Sequence, residues 1–216
     1  MTVHPVPRRA LLRMAGLSLA AVPFITQGAR AAGSSEISAP IEHLNAALLR
    51  AMKAGRKAPF TERYNILAPA VEQAFDLDTV LRVSVGPHWA TLPPDQQAQL
   101  QAAFRRYTVA NYAANFDEYT GQKFELVPET RSVGANEQVV TTRIVPSDGS
   151  APTTLSYVMR QTSAGWKSVD VLADGSISRV ATQRSDFRSV LTSGGGSALV
   201  ASLQRKVATL SGGSLA

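Results

Sequence analysis

The residue that most resembles a catalytic group is Asp170, set mid-strand between Val169 and Val171. A carboxylate projecting into an apolar cavity is biased toward its neutral form and can serve as a general base. The alternative is an Asp satisfied by a nearby Arg or a backbone N–H. No second catalytic group presents itself. His4 lies near the start of the chain, and His43 and His88 are far apart, neither at metal-ligand spacing from a carboxylate. A nucleophile elbow, a phosphate-cradling glycine loop and a dinucleotide fingerprint are all missing. Gly194-Gly195-Gly196 follows a helix rather than a strand, so it reads as a hinge. With no Cys in 216 residues, thiolate metal sites, disulfides, cysteine nucleophiles and lipid attachment through Cys are excluded. The expectation is a protein that is not an enzyme and needs no cofactor.

Aromatic residues give a different lead. Trp89, Phe104, Tyr107, Tyr112, Phe116, Tyr119, Phe124, Tyr157 and Trp166 crowd the middle of the chain. Aromatic stripes at helical spacing usually form core. Yet one curved sheet and one long helix covered on two sides leave an interior that side chains do not readily fill, and an apolar cavity is by default a ligand site.

The elements that must hold these residues follow from periodicity. Ile37, Ile41, Leu44, Leu48 and Leu49 predict a helix over about 38–54, ending near Gly55. Phe60–Ile66 and Pro69–Phe75 predict a second helical region interrupted at Pro69. Asp76 offers an N-cap for a short helix to about Val85, stopped by Gly86-Pro87. The longest helix opens at Thr91 or Pro93-Pro94-Asp95 and runs to about Tyr119, before Gly121.

Beyond Gly121 the period turns to alternation. Four runs, Lys123–Pro128, Gln138–Pro146, Thr153–Gln161 and Trp166–Leu172, predict an antiparallel meander joined by Gly-containing loops. Alternate residues group Leu155, Tyr157 and Met159 with Lys167, Val169 and Val171, and both faces are mixed. Val180–Leu191 is helical, the glycine triplet breaks it, and Ala198–Leu210 forms a last helix before a flexible tail, 211–216. The fold class is α+β: helices packed on a curved four-stranded antiparallel sheet.

The formal charge of +6 comes from 22 Lys+Arg against 16 Asp+Glu. Arg8, Arg9, Arg13 and Arg30 lie in the first 33 residues, which contain no acid; without them 18 bases face 16 acids. Arg8 and Arg9 precede a short apolar run, Met14–Ile25, too short for the ~20 residues of a membrane-spanning helix. Ala29-Arg30-Ala31 follows as a small-x-small site. Residues 1–32 therefore read as a cleaved, twin-arginine-like signal peptide, and 33–210 as a single soluble domain outside the cytoplasm. Arg105, Arg106, Arg179, Arg184, Arg188, Arg205 and Lys206 could gather as a basic patch. They lack an interleaved stacking strip, so nucleic acid is not an expected partner.

An ordered series of short motifs resembles the MlaC family of lipid-shuttle proteins, with its toluene-tolerance and hopanoid-associated (HpnM) relatives. It begins with Leu67-Ala-Pro, Phe75-Asp-Leu, Trp89 and Gln96-Gln97, and continues through Phe104-Arg-Arg-Tyr107, Tyr112, Tyr119-Thr-Gly121 and Tyr157. Gly165-Trp166-Lys167, Val169-Asp170-Val171, Asp174-Gly-Ser-Ile-Ser178, Arg184-Ser-Asp-Phe187 and Leu203 complete it. The resemblance implies a nuclear-transport-factor-like cone with an apolar cavity for the acyl chains of a phospholipid or hopanoid. It also implies partners: an inner-membrane ABC transporter complex, an outer-membrane lipid complex and transient membrane contact. On this reading Trp89, Phe104, Tyr107, Phe116, Tyr157, Met159, Val169 and Val171 are the candidate cavity-lining residues, half of them expected to be core. The competing reading is a small-molecule enzyme on the same scaffold with Asp170 as base.

Overall fold

A computed structural model describes residues 27–215, so residues 1–26 of the expected leader (1–32) lie outside the described residues. The first helix, α1 (Gln27–Ala54), starts earlier than the apolar period required; Ala29, Ala31 and Ala32 extend it as strong helix formers. Its buried face is Ile41, Leu44, Ala47, Leu48 and Ala51, at helical spacing.

Next, α2 (Phe60–Ala74) runs unbroken through Pro69, contrary to the expected interruption. Pro69 and Asn65, whose carbonyl loses its helical donor, are both exposed, so water serves that carbonyl. The buried Leu67, Ala70, Val71 and Ala74 hold the helix to its neighbours. Asp76 caps α3 (Leu77–Val85) as its position predicts, accepting from Thr79 N at 3.0 Å and from Thr79 Oγ1 at 2.7 Å.

A 3-10 turn over Gly86–Thr91 leads into α4 (Pro94–Asn115). This helix ends short of the expected Tyr119. Phe116 leaves helical geometry, and the chain beyond it turns so that Asp117 meets Arg56, just past α1, at 2.8 Å.

The sheet has six strands rather than four: β1 (Lys123–Leu126), β2 (Arg131–Gly134), β3 (Glu137–Val145), β4 (Thr153–Thr162), β5 (Gly165–Ala173) and β6 (Ile177–Ser178). All pairings between them are antiparallel, in the order β1-β3-β4-β5-β6, with β2 also against β3. The two extra strands are too short to show a period of their own. Val140, Tyr157 and Val171 stand side by side on the core face, as do Thr142, Leu155 and Ala173.

A bulge between β4 and β5 resolves the mixed faces. Val158 pairs with Asp170, but Met159 pairs with Ser168, so Val169 is the extra residue. Ser168, fully buried, therefore shares the face of Met159, Tyr157 and Val171. The expected grouping of Lys167, Val169 and Val171 is broken.

Helix α5 covers Arg179–Leu210 with a kink at Gly195, whose φ of 66° and ψ of −163° suit glycine alone. At Gly196 a Cβ would lie 2.5 Å from Gln96 Oε1, so the second half of α5 rests directly on the start of α4. Residues 211–215, read from their glycines as a loose tail, form turns: Gly213 N donates to Ala208 O at 2.8 Å and Arg106 Nη2 to Leu215 O at 2.6 Å. Among the described residues no helix is long and apolar enough to cross a membrane.

Candidate binding pocket

Between α3, α4, the first half of α5 and the core face of the sheet lies a pocket of about 290 Å³. Helix α4 builds one wall in two rows. Phe104, Thr108, Tyr112 and Phe116 follow at intervals of four, as do Tyr107, Asn111 and Asn115, so each row stands on one line along the helix. The first row is mostly aromatic. Tyr112 and Phe116 stack at 5.9 Å, Tyr112 meets Phe75 at 5.8 Å, and Phe104 packs edge-on against Phe187 at 6.2 Å. The second row is a polar ladder: Asn111 Nδ2 donates to Tyr107 Oη at 3.3 Å, and Asn115 Nδ2 to Asn111 Oδ1 at 2.8 Å.

Leu155, Val171 and Ala173 form the floor, Leu77 and Val80 close the α3 side, and Arg179, Val180 and Gln183 face them from α5. The lining is mainly apolar with a few polar groups, the composition of a site for a largely hydrocarbon ligand. Burial pushes the Tyr112 hydroxyl well above the usual tyrosine range, aided by Tyr157 and opposed by Arg179. Burial likewise raises Tyr157 to about 12. Both hydroxyls are therefore neutral donors at ordinary pH.

Of the eight candidate lining residues, Phe104, Tyr107, Phe116 and Val171 border this pocket. The other four do not. Tyr157 and Met159 are enclosed in the core, 1% and 0% exposed. Val169 is displaced by the bulge. Trp89 sits half-buried on the 3-10 turn, its carbonyl accepting from Gln97 Nε2 at 3.1 Å. Phe75, Tyr112, Leu155 and Val180 line the pocket and were not among the candidates. Tyr112 could have been found from the four-residue interval linking Phe104 to Phe116; the others depend on tertiary packing.

Asp170 also reaches the lining, but its carboxylate is engaged. Oδ1 accepts from Val171 N at 2.8 Å and from Val180 N at 3.1 Å, and Oδ2 from Ser178 Oγ at 2.5 Å. Ser178 is the N-cap of α5, so the carboxylate sits against the positive end of that helix. The geometry is that of the satisfied Asp, not of a base aimed at a substrate. Asp170→Ala is expected to lower stability by about 2 kcal/mol, seen as a lower urea midpoint at unchanged slope. Equal midpoints would refute the capping role.

Among the described residues no three of His, Asp and Glu are grouped to hold a metal ion. No curated protein matches the sequence. One solved structure with this fold is described as the phospholipid-binding protein from Ralstonia solanacearum in complex with a phospholipid. It superposes with a TM-score of 0.69 at 21% identity, over 81% of this chain and 98% of that one. The family described as MlaC protein matches residues 42–205, which include every residue lining the pocket. On that match the chain belongs to the MlaC family.

Proposed function

We propose that this protein is a periplasmic carrier that shelters the acyl portion of a phospholipid and moves it between the outer and inner membranes. The observation that carries this reading is the apolar pocket walled by Phe75, Phe104, Tyr112, Phe116, Leu155 and Val171. An acyl chain exposed to water costs about 0.8 kcal/mol per CH₂, so a lipid does not cross an aqueous gap unaided at a useful rate. A soluble protein with an apolar hollow removes that cost and gives the lipid up where a partner offers equal shelter. Family membership and the phospholipid bound by the Ralstonia protein support the same reading. An ABC transporter complex and an outer-membrane complex are the partners such a carrier would serve, and the arginine-bearing leader would deliver it to the periplasm.

At about 290 Å³ the pocket is at the small end of the ~300–1,000 Å³ range of ligand sites. Lipid entry therefore involves parting of its walls, the kinked α5 being one of them. Native mass spectrometry of protein purified from its own envelope is expected to show a co-purifying lipid mass. An empty protein that also fails to take lipid from vesicles would overturn the proposal.

A further inference from the structure

A second hollow, a groove of about 540 Å³, lies between α4 and the second half of α5. By helical spacing Gln99, Ala102, Ala103 and Arg106 fall on nearly the opposite side of α4 from Phe104, Thr108 and Tyr112, which face the lipid pocket. The groove floor is small and apolar: Ala103, Val200 and Val207 are buried, with Ala102 and Ala208 on the two banks. Leu215 closes it on one side, held by Arg106 Nη2 donating to its carbonyl at 2.6 Å. Each bank also carries an exposed arginine, Arg106 from α4 and Arg205 from α5. Among the described residues neither has a side-chain carboxylate within 4.0 Å. The imbalance extends beyond the groove. Helix α4 has one acid, Asp95, about three turns from Arg106, and residues 196–215 have none.

We propose that this groove docks a short acidic amphipathic helix of a partner protein, gripped between Arg106 and Arg205. An apolar trough flanked by unbalanced cations is the complement of a helix with an apolar stripe and acidic edges. The alanines on the banks let the backbone of that helix approach closely, and guanidinium forks match its carboxylates. The two banks run side by side for about two turns, or ~12 Å, which sets the length of the seated segment. A bilayer surface would meet the arginines but leave the trough between them empty. The groove shares no residue with the lipid pocket, so the proposal goes beyond the cargo reading and does not depend on it.

The test titrates the full chain into a short fluorescein-labelled helical peptide with Ala and Leu along one stripe and Glu on both flanks, read by anisotropy. Versions with Gln or Lys in place of Glu are run beside it. The Glu peptide is expected to bind roughly tenfold more tightly than the Gln peptide and to weaken as salt rises. Arg106→Glu combined with Arg205→Glu is expected to reverse the order, so that the Lys peptide binds best. Both arginines are exposed, so this variant is expected to melt near the wild type. Ala102→Trp, which fills the trough from an exposed position, is expected to abolish binding of the Glu peptide. Equal binding of the Glu and Gln peptides, an order that survives the charge reversal, or no binding of any peptide overturns the docking site. Phosphatidylglycerol vesicles that displace the Glu peptide from the wild type, and that the double arginine variant no longer binds, would assign the patch to a membrane surface and overturn the helix.

Discussion

Replacing Leu155 by Trp is expected to abolish lipid uptake while leaving the fold intact. Leu155 is on β4, half-buried, with its side chain on the pocket floor beside Ala173 and Thr142 in the register. An indole at this position occupies space that a hydrocarbon chain would otherwise take. Excluding three methylenes already forfeits about 2.4 kcal/mol at ~0.8 kcal/mol each, or roughly fiftyfold in affinity. The strand tolerates the change because Trp suits a pleated surface and enters open volume rather than packed core. Thr154→Trp is the control: the adjacent residue points to the opposite face, where it pairs with Arg143. Both variants are expected to melt near the wild type, with extraction of lipid from vesicles lost only in Leu155→Trp. Uptake by that variant within twofold of the wild type would mean that the cargo is held elsewhere.

Helix boundaries were legible in the sequence where a side chain or a glycine enforces them. Asp76 caps α3 as its position predicts, Gly86 ends that helix, and the glycine triplet marks the α5 kink. Such signals act within a few residues, so they survive in a one-dimensional reading. The end of α4 was not legible, because it depends on Asp117 meeting Arg56 from 61 residues away. The same holds for β2 and β6, strands of four and two residues that exist only because β3 and β5 pair with them.

The pocket divides along the same line. Phe104, Tyr107 and Phe116 share the α4 wall, and helical spacing alone links them. Tyr157 and Val171 are register partners on one face, yet only Val171 reaches the pocket, since Tyr157 is enclosed. Alternation gives the face of a residue but not its depth. The bulge at Val169 removes even the face, because one extra residue reverses the alternation beyond it. Asp170 shows the limit most clearly: its place between two valines suggested a catalytic base, whereas its role depends on a helix that begins nine residues later.

The largest expected loss of stability comes from Arg63, which nothing in its sequence neighbourhood singles out. Its side chain is buried in α2, the residue only 6% exposed, and among the described residues no carboxylate lies within 4.0 Å. The charge is instead spread over backbone carbonyls. Nη1 donates to Gly55 O at 2.9 Å and to Ala58 O at 2.8 Å, Nε donates to Ala113 O at 3.4 Å, and the Phe60 ring lies 5.6 Å away. Gly55 follows the last residue of α1 and Ala113 is in the last turn of α4, so one guanidinium serves the negative ends of two helices. Arg63→Met keeps the apolar stem but takes this donor from the half-buried Ala58 and the buried Ala113 carbonyls, while Gly55 O keeps Ala58 N at 3.3 Å. At ~1–3 kcal/mol for each of the two groups, partly relieved by relaxation and water, the expected loss is about 3 kcal/mol. For a chain of this length that lowers Tm by roughly 10 °C. Arg63→Lys retains the charge but cannot fork between the carbonyls, and is expected to lose about half as much. Urea unfolding with unchanged slope is the measurement. A loss below about 1 kcal/mol in Arg63→Met would show that the helix ends find other donors, and that this arginine does not brace the α4 wall of the pocket.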